Sequence, residues 1–524
     1  MTVTKSKEKQ KVAIVGSGMA GLVTAHLLSR DPRQRYSVTV FESGQSFSLD
    51  SASMSIQDGS QQIIDRIDVP MRAFAEGYYK NLIRMYKYLG VRYHPQRFFY
   101  SFEKKSVSEG WNKRSKEDYF IYSSNNHRFL PIRPEGISLF SWLIEIMYVA
   151  VCYFWWSLCC FWIPPSPATS SGECESLGEY MKRIMLPRHF IDFYLLPLLS
   201  SVATCPHEAL LHFPARDLTE YKRQSAGGDH YTVSSVREVQ NTLGSGLEAR
   251  FSSLVTNVEV LQGGELEVEW NSSDNVAHKE IFNHVVLAVA PDVAGKLYQP
   301  LAKPMAQVPT TMVHSIVQGE GMKLAANDTL GSGFIPKGAR SAQTIHLRTS
   351  ASLAQTESIH VHGSGAMVTT CPFSDISSAQ NVLSSVKFMR ALRTPRSRRI
   401  VNNIFGENRT APLLDEKRSS WKNGDDNIWL VGGWCWDGMV LLEGCVVSAM
   451  RVASALDPVM LGPEYGHFAA FHSGKLKGKV LPGLCPQKPF QSVLHHTTSR
   501  SSTQDLGILT SERRPSLQEQ NEAQ

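Results

Sequence analysis

An α/β fold is predicted here, with a parallel sheet whose strands come from separate stretches of chain and a large α+β insertion between them. Three observations predict it. A strand, glycine turn, helix, strand, acid pattern occupies residues 11–42, and a second strand, glycine turn and helix start lies at residues 426–455. The third is length. At roughly 150 residues per domain, 524 residues exceed one such domain and leave space for an insert between the two glycine segments.

The first pattern reads KVAIVGSGMAGLVTAHLLSR. A β-branched run at 12–15 turns through Gly16, Ser17, Gly18, Ala20 and Gly21, and an Ala/Leu-rich helical pattern runs on to Arg30. A second β-branched run at 38–41 ends in Glu42, about 20 residues beyond the last glycine. Each residue type has a physical task. Gly16 permits the tight turn, Gly18 lets a pyrophosphate approach the backbone, and Gly21 lets the helix sit against the strand. The helix start offers free N–H groups and the positive end of its dipole. Glu42 accepts hydrogen bonds from ribose hydroxyls, and its charge disfavours a 2′-phosphate. These features define a Rossmann-like FAD/NAD(P)-binding domain.

The second pattern, DNIWLVGGWCWDGMVLLEGCVVSAMRVASA, runs a strand at 428–431 into Gly432 and Gly433, and then opens a helix at Glu443 and Gly444. An NAD dehydrogenase has no need of it. With both patterns in place the chain resembles the FAD-dependent amine oxidase and phytoene desaturase superfamily. The resemblance implies a C-terminal segment that returns to the nucleotide domain, with Gly432, Gly433, Glu443 and Gly444 on the flavin side. It also implies a helix N-terminus aimed at the flavin pyrimidine edge, where a dipole stabilises the negative charge of reduced flavin. FAD is expected to be bound noncovalently. Cys435, between Trp434 and Trp436, stands away from the position at which some amine oxidases link their flavin.

Internal segments fit the same order. VTNVEVLQGGELEVEW reads as a hairpin with Leu266, Val268 and Trp270 on one face. In relatives a valine opening the first strand pairs its backbone with adenine, which makes Val255 the candidate. Residues 284–290 read as a buried strand ended by Pro291. The stretch 175–218, followed by Gly227, Gly228 and Tyr231, is similar to bacterial and fungal NAD/FAD-binding proteins grouped near amine oxidases. The resemblance spans about two-thirds of the chain, and its specific part is the two cofactor segments. One motif departs from it: the stretch after Glu42 lacks the superfamily's second glycine pair with arginine, leaving Arg66 and Arg72 as phosphate or flavin-edge candidates.

The expected division is an FAD-binding domain at 1–75, 230–300 and 415–460, a substrate domain at 76–229 and 301–414, and a disordered tail at 474–524. A flavin carries the redox chemistry, so the protein need supply position, electrostatics and a dry pocket. His314, in the strand-like TTMVHSIVQG, is the catalytic candidate because the matching strand of the subgroup faces the substrate. His346, His360 and His362 rank below it, and no histidine or cysteine spacing predicts a metal.

Composition narrows the partners. The 54 Lys+Arg and 48 Asp+Glu leave a net charge of +6, without long basic blocks, so no nucleic acid is expected. Charged residues make up 19%, below the roughly 25% of average globular proteins, which favours an apolar or amine-bearing small substrate or a membrane surface. The deficit is concentrated at 137–163, ISLFSWLIEIMYVAVCYFWWSLCCFWI, whose one charge is Glu145. At 1.5 Å per residue it is about 40 Å long as a helix, enough to cross a bilayer. A single crossing would put the two halves of one nucleotide domain on opposite sides, so the run reads as a buried helix or a one-leaflet element. Trp142, Trp155, Trp156, Trp162 and nearby Trp111, with Tyr148 and Tyr153, favour the interface. The nine cysteines lack a CxxC and read as reduced thiols. The polar first ten residues contain no signal-peptide core, so a cytoplasmic, membrane-associated protein is expected, with the sequons at Asn271, Asn327 and Asn408 unused.

The leading expectation is an FAD-dependent oxidoreductase that takes hydride from an apolar or amine-bearing small molecule, of amine oxidase or desaturase/isomerase type. The alternative is a flavin-binding membrane-surface protein without turnover.

Overall fold

The computed structural model describes residues 8–57, 60, 62–104, 118–123, 131–134, 136–167, 173–319, 343–373, 381–406 and 421–456. The expectations for 474–524, Trp111, Asn327 and Asn408 lie outside the described residues. Five parallel strands form the sheet that the glycine patterns predict, in the order Glu248–Arg250, Tyr36–Phe41, Gln10–Val15, His284–Leu287, Ile428–Leu430. Their cores are near-continuous Val, Ile and Ala because both faces are covered: Val12, Ala13, Ile14, Val40, Val285 and Val286 are all fully buried. The register runs one residue past each strand, with Gly16 N–H on Phe41 O at 2.8 Å, Ala288 N–H on Val15 O at 2.8 Å and Val431 N–H on Leu287 O at 3.1 Å. Gly16, Glu42, Ala288 and Gly432 therefore share the carboxyl edge of the sheet, where open α/β folds bind ligands.

The first and last helices meet behind this edge. Met19, Leu22 and Val23 of the Met19–Ser29 helix share a buried cluster with Val446, Ala449 and Met450 of the Leu442–Leu456 helix. A three-stranded antiparallel sheet, Leu254–Val260, Leu266–Asn271, Ala277–Phe282, packs on the other flank. Leu266, Val268 and Trp270 are its buried face, as their alternation predicts, and Trp270 lies 5.0 Å from the Phe41 ring. The third strand, AHKEIF, has no alternation to announce it and is mostly exposed.

The other described residues build a seven-stranded sheet, in the order Val382–Ala391, Thr310–Gln318, Met367–Thr370, Gln355–Val361, Gln343–Ser350, Phe98–Lys104, Asp118–Ser123, two small sheets, Met54–Gln57 with Ile63–Ile67 and Phe74–Ala75, His230–Val233, Tyr93–Pro95, and a group of helices. Among these is Leu139–Trp162, one unbroken helix of 24 residues started by Ser138, whose hydroxyl accepts the Ser141 N–H at 3.1 Å. The apolar run thus forms the helix its length predicts, with only 22% of its most apolar window buried.

One buried ion cluster braces the second glycine turn. Arg393 is 1% exposed, donates to the carbonyls of Trp434 and Trp436, and stands 3.9 Å from Asp217. Arg398 approaches the same carboxylate at 3.0 Å and donates to Asp437 O. The loop's backbone carbonyls are held by two guanidinium groups, and Asp217 offsets their charge.

The core also holds a neutral histidine. His207 opens the short His207–Leu211 helix, and its Nε2 lies 2.8 Å from Thr356 Oγ1. Burial pushes its pKa down from 6.5 to about 4. The folded state excludes a proton that the unfolded chain accepts, so this contribution is intact above pH 6.5 and is lost as pH falls toward about 4. His207→Gln is expected to keep the bond to Thr356 and to remove about 3 kcal/mol of the stability change across that window, measured by denaturant melts at stepped pH.

Candidate functional site

The N-terminal turn is built by backbone contact. Gly16 has φ +99°, and a Cβ there would lie 2.7 Å from Ala288 O; a Cβ on Gly21 would lie 2.0 Å from Gly16 O. Neither residue admits a side chain. Gly18 differs, because nothing lies within 4 Å of where its Cβ would stand. It precedes a helix with no side-chain cap and no acid in its first turn. Free N–H groups and a positive dipole end therefore face open space.

Glu42 closes the far side of this opening. Its Oε2 accepts the Ser17 amide at 3.1 Å and the Ser17 hydroxyl at 2.5 Å, and Oε1 accepts the Gly44 amide at 2.9 Å. Burial pushes its pKa up, but the bonds from Ser17, Gly44 and Ser48 outweigh burial and hold the carboxyl below its ordinary value. It is a charged acceptor at neutral pH. Val255 belongs to the strand beyond: it pairs with Trp270 and is buried in one cluster with Ala13, Val15 and Phe41. The segment before it is tied to the acid, Ser253 N–H donating to Glu42 O and Ser252 N–H to Gly44 O.

The two glycine patterns meet at Cys445. Its sulfur packs against the second turn, 3.4 Å from where a Cβ on Gly433 would stand, and the backbone N–H groups of Ala20, from the first helix, and of Gly433 both pull its pKa down. The approach depends again on missing side chains, since a Cβ on Gly444 would lie 2.5 Å from Gly433 O and 2.4 Å from Trp436 Nε1. Gly432 turns the chain out of the sheet, its N–H donating to Ser448 Oγ at 3.0 Å. Burial pushes the Cys445 thiol up to about 11, against the pull of Arg72 and Arg390.

Those two arginines are site residues of different visibility in the sequence. Arg72 follows Glu42 by 30 positions, and its Nη2 donates to Leu49 O. Its Nε is buried without a hydrogen-bond partner. Arg390, at the end of the Val382–Ala391 strand, donates to Val440 O at 2.9 Å. Arg72, Arg390 and Cys445 are each half-buried, and both guanidiniums act on the Cys445 thiol. Burial lowers the pKa of both guanidiniums. The titratable neighbours of Arg72 include Asp68 and Asp50, while the strongest of Arg390 are thiols and the Tyr79 phenol.

Other expected residues have different partners. Glu443 commits both oxygens to the start of the Lys80–Tyr88 helix, accepting Asn81 N–H at 2.9 Å, Asn81 Nδ2 at 2.6 Å and Leu82 N–H at 3.0 Å. It ties the last helix to the second one. Arg66 pairs with Asp50. His314 lies on the Thr310–Gln318 strand with Nε2 2.9 Å from Ser385 Oγ, and is not among the residues that converge at Cys445. His346 binds Glu103 and His360 binds Gln343. No group of three metal ligands occurs among the described residues. Trp434 donates to Val289 O, Trp436 to Met439 O, and Cys435 is fully buried.

The open helix start, the acid at the end of the second strand and the second glycine turn define a Rossmann-like dinucleotide-binding fold. The comparisons agree at that level. Residues 14–89 match the family model described as an NAD(P)-binding Rossmann-like domain. Among solved structures 654 chains match, so the architecture is too widely shared to specify a reaction. One of them is the CLA-producing fatty acid isomerase from P. acnes, 10% identical, with a TM-score of 0.52 over 84% of this chain and 98% of that one. No curated protein matches.

The contrast between neighbouring glycines is testable. Gly18→Val is expected to fold with an unchanged thermal midpoint and to lose dinucleotide binding by about tenfold or more, measured by calorimetric titration. Gly21→Val is expected to give no folded protein.

Proposed function

We propose that the chain is an FAD-dependent oxidoreductase that acts on an apolar substrate carrying an anionic group, of the desaturase or isomerase type. The observation that carries this is the approach of both glycine turns to Cys445, with Arg72 and Arg390 near it. A nicotinamide cofactor uses the first turn alone; a flavin dinucleotide uses both.

The residues present fit FAD. The N–H groups after Gly18 would take the pyrophosphate, Glu42 the ribose hydroxyls, and the orphaned Arg72 Nε another anionic oxygen. The start of the Leu442–Leu456 helix brings a positive dipole end to the same region. Bound FAD would supply the redox step, accepting hydride from a substrate C–H. The chain's own part is to orient and to exclude water. Tyr79 and Tyr86 are buried beside the arginines, and burial raises both phenol pKa values, so they stay neutral donors.

Electrostatics favours one of the two expected substrate classes. Arg390 sits among thiols and phenols rather than carboxylates, and a substrate ammonium placed near it would be repelled at low local dielectric. An acyl chain ending in a carboxylate would be attracted. The solved protein named a fatty acid isomerase shares the fold, which supports the same direction.

Purified protein is expected to be yellow and to release its flavin to the supernatant on denaturing precipitation; colour retained in the pellet would contradict noncovalent binding. Under anaerobic conditions unsaturated fatty acids are expected to bleach the flavin band or to become conjugated dienes, while alkyl amines do neither. Amine-dependent bleaching without a fatty-acid response would overturn the assignment. Arg390→Met is expected to raise KM for the acid by about tenfold or more, while flavin content shows whether the cofactor stays bound.

A further inference from the structure

We propose that the Leu139–Trp162 helix lies in the plane of an anionic membrane surface and seats the protein on one leaflet. The helix is apolar all round, a composition expected of a helix buried on every side or placed in lipid, yet most of it is not buried. Its outward residues follow helical spacing: Phe140, Ile144, Met147, Val151, Phe154, Leu158 and Phe161 are all exposed. Phe140 is 74% exposed, Met147 64%, Phe154 67% and Trp162 78%. Its one charged side chain, Glu145, is turned to the protein, where it accepts from Tyr194 and approaches His189. The outward face is therefore free of charge for its whole length, about 36 Å at 1.5 Å per residue.

Contacts along the inner face fix the helix parallel to the protein surface. In sequence, Tyr148 meets His189, Lys222 donates to Tyr153, Trp155 donates to Ile184 O, Trp156 packs edge-on to Tyr180, and Tyr180 donates to Ile163 O. A spanning orientation would carry Glu145, Lys222 and the attached helices into the hydrocarbon, where such groups are costly. An in-plane helix leaves them on the aqueous side.

The adjoining segment identifies lipid as the occupant. Met185 has the left-handed backbone value φ +54°, which L residues seldom adopt, and it is 81% exposed. The fold thus holds a second apolar side chain outward beside Trp155. Close to it in sequence stand Lys182, Arg183 and Arg188, all exposed; Arg183 pairs with Glu175 and is anchored to Pro164 O just past the helix end, and Arg188 pairs with Asp192. An apolar aromatic stripe with Lys182 and Lys222 beside it matches an acyl boundary bordered by anionic headgroups.

The proposal stands apart from the chemistry assigned above and has its own test. Full-length protein purified without detergent is mixed with vesicles of phosphatidylcholine alone or of phosphatidylcholine with phosphatidylserine, and is floated on a density gradient. It is expected to float with the anionic vesicles, to float less at high salt, and to come off the lipid in alkaline carbonate. The triple variant Phe140→Glu, Met147→Glu, Phe154→Glu is expected to lose flotation by about tenfold or more with unchanged circular dichroism and thermal midpoint. Equal flotation of the two proteins, or none by the parent, would overturn the proposal. So would carbonate-resistant attachment, which means a span, or a parent dimer that the variant abolishes without any flotation, which means a second copy covers the face.

Discussion

Two contacts of backbone on backbone set the rest of the structure. The first helix reaches the sheet edge only because Gly21 brings no side chain against Gly16 O, and the last helix only because Gly444 brings none against Gly433 O. Each contact removes the volume of one methyl group and places a helix start where strands end. The two turns are thereby brought together, and the backbone N–H groups of Ala20 and Gly433 both act on Cys445. The sheet supplies a rigid edge, so the precision of the site comes from packing that nothing larger than glycine permits.

Charge is distributed by the same logic. The arginines that hold the loop after the second turn, Arg393 and Arg398, are matched by Asp217, and their hydrogen bonds end on backbone carbonyls. They are structural cations with their charge offset. Arg390 leads toward Cys205, Cys371, Cys445 and Tyr79, none of which is anionic with its pKa raised by burial. The difference separates cations that support the site from one whose field extends into it.

What the sequence disclosed and what it withheld follow from distance along the chain. The glycine turns, Glu42 and four of the sheet strands were legible because each pattern is local and its residue types are forced by sterics. Glu248–Arg250 was not, being short and without a β-branched residue, nor was Ala277–Phe282, whose polar face has no alternation. Glu443 could be placed at a helix start but not given its partner, since Asn81 is 362 positions away. Arg390 and Arg393 carry no local signal; as charged residues near a strand end they look like solvated ones until the fold buries them. The apolar run was legible as a helix, while its one-sided exposure depends on what the fold lays against Trp156 and Cys159.

The order of the sheet has a consequence for synthesis. Strands Gln10–Val15 and Tyr36–Phe41 leave the ribosome early, but the edge strand Ile428–Leu430 of the same sheet and the sealing helix Leu442–Leu456 emerge roughly 400 residues later. At about 5–20 residues per second the first glycine turn waits for tens of seconds beside an unfinished sheet, with Val12 and Ile14 lacking the cover they have in the native state. A nascent chain of this protein is therefore a natural client for chaperones, and a stop codon anywhere before the last helix leaves the nucleotide edge open on the side that Cys445 closes.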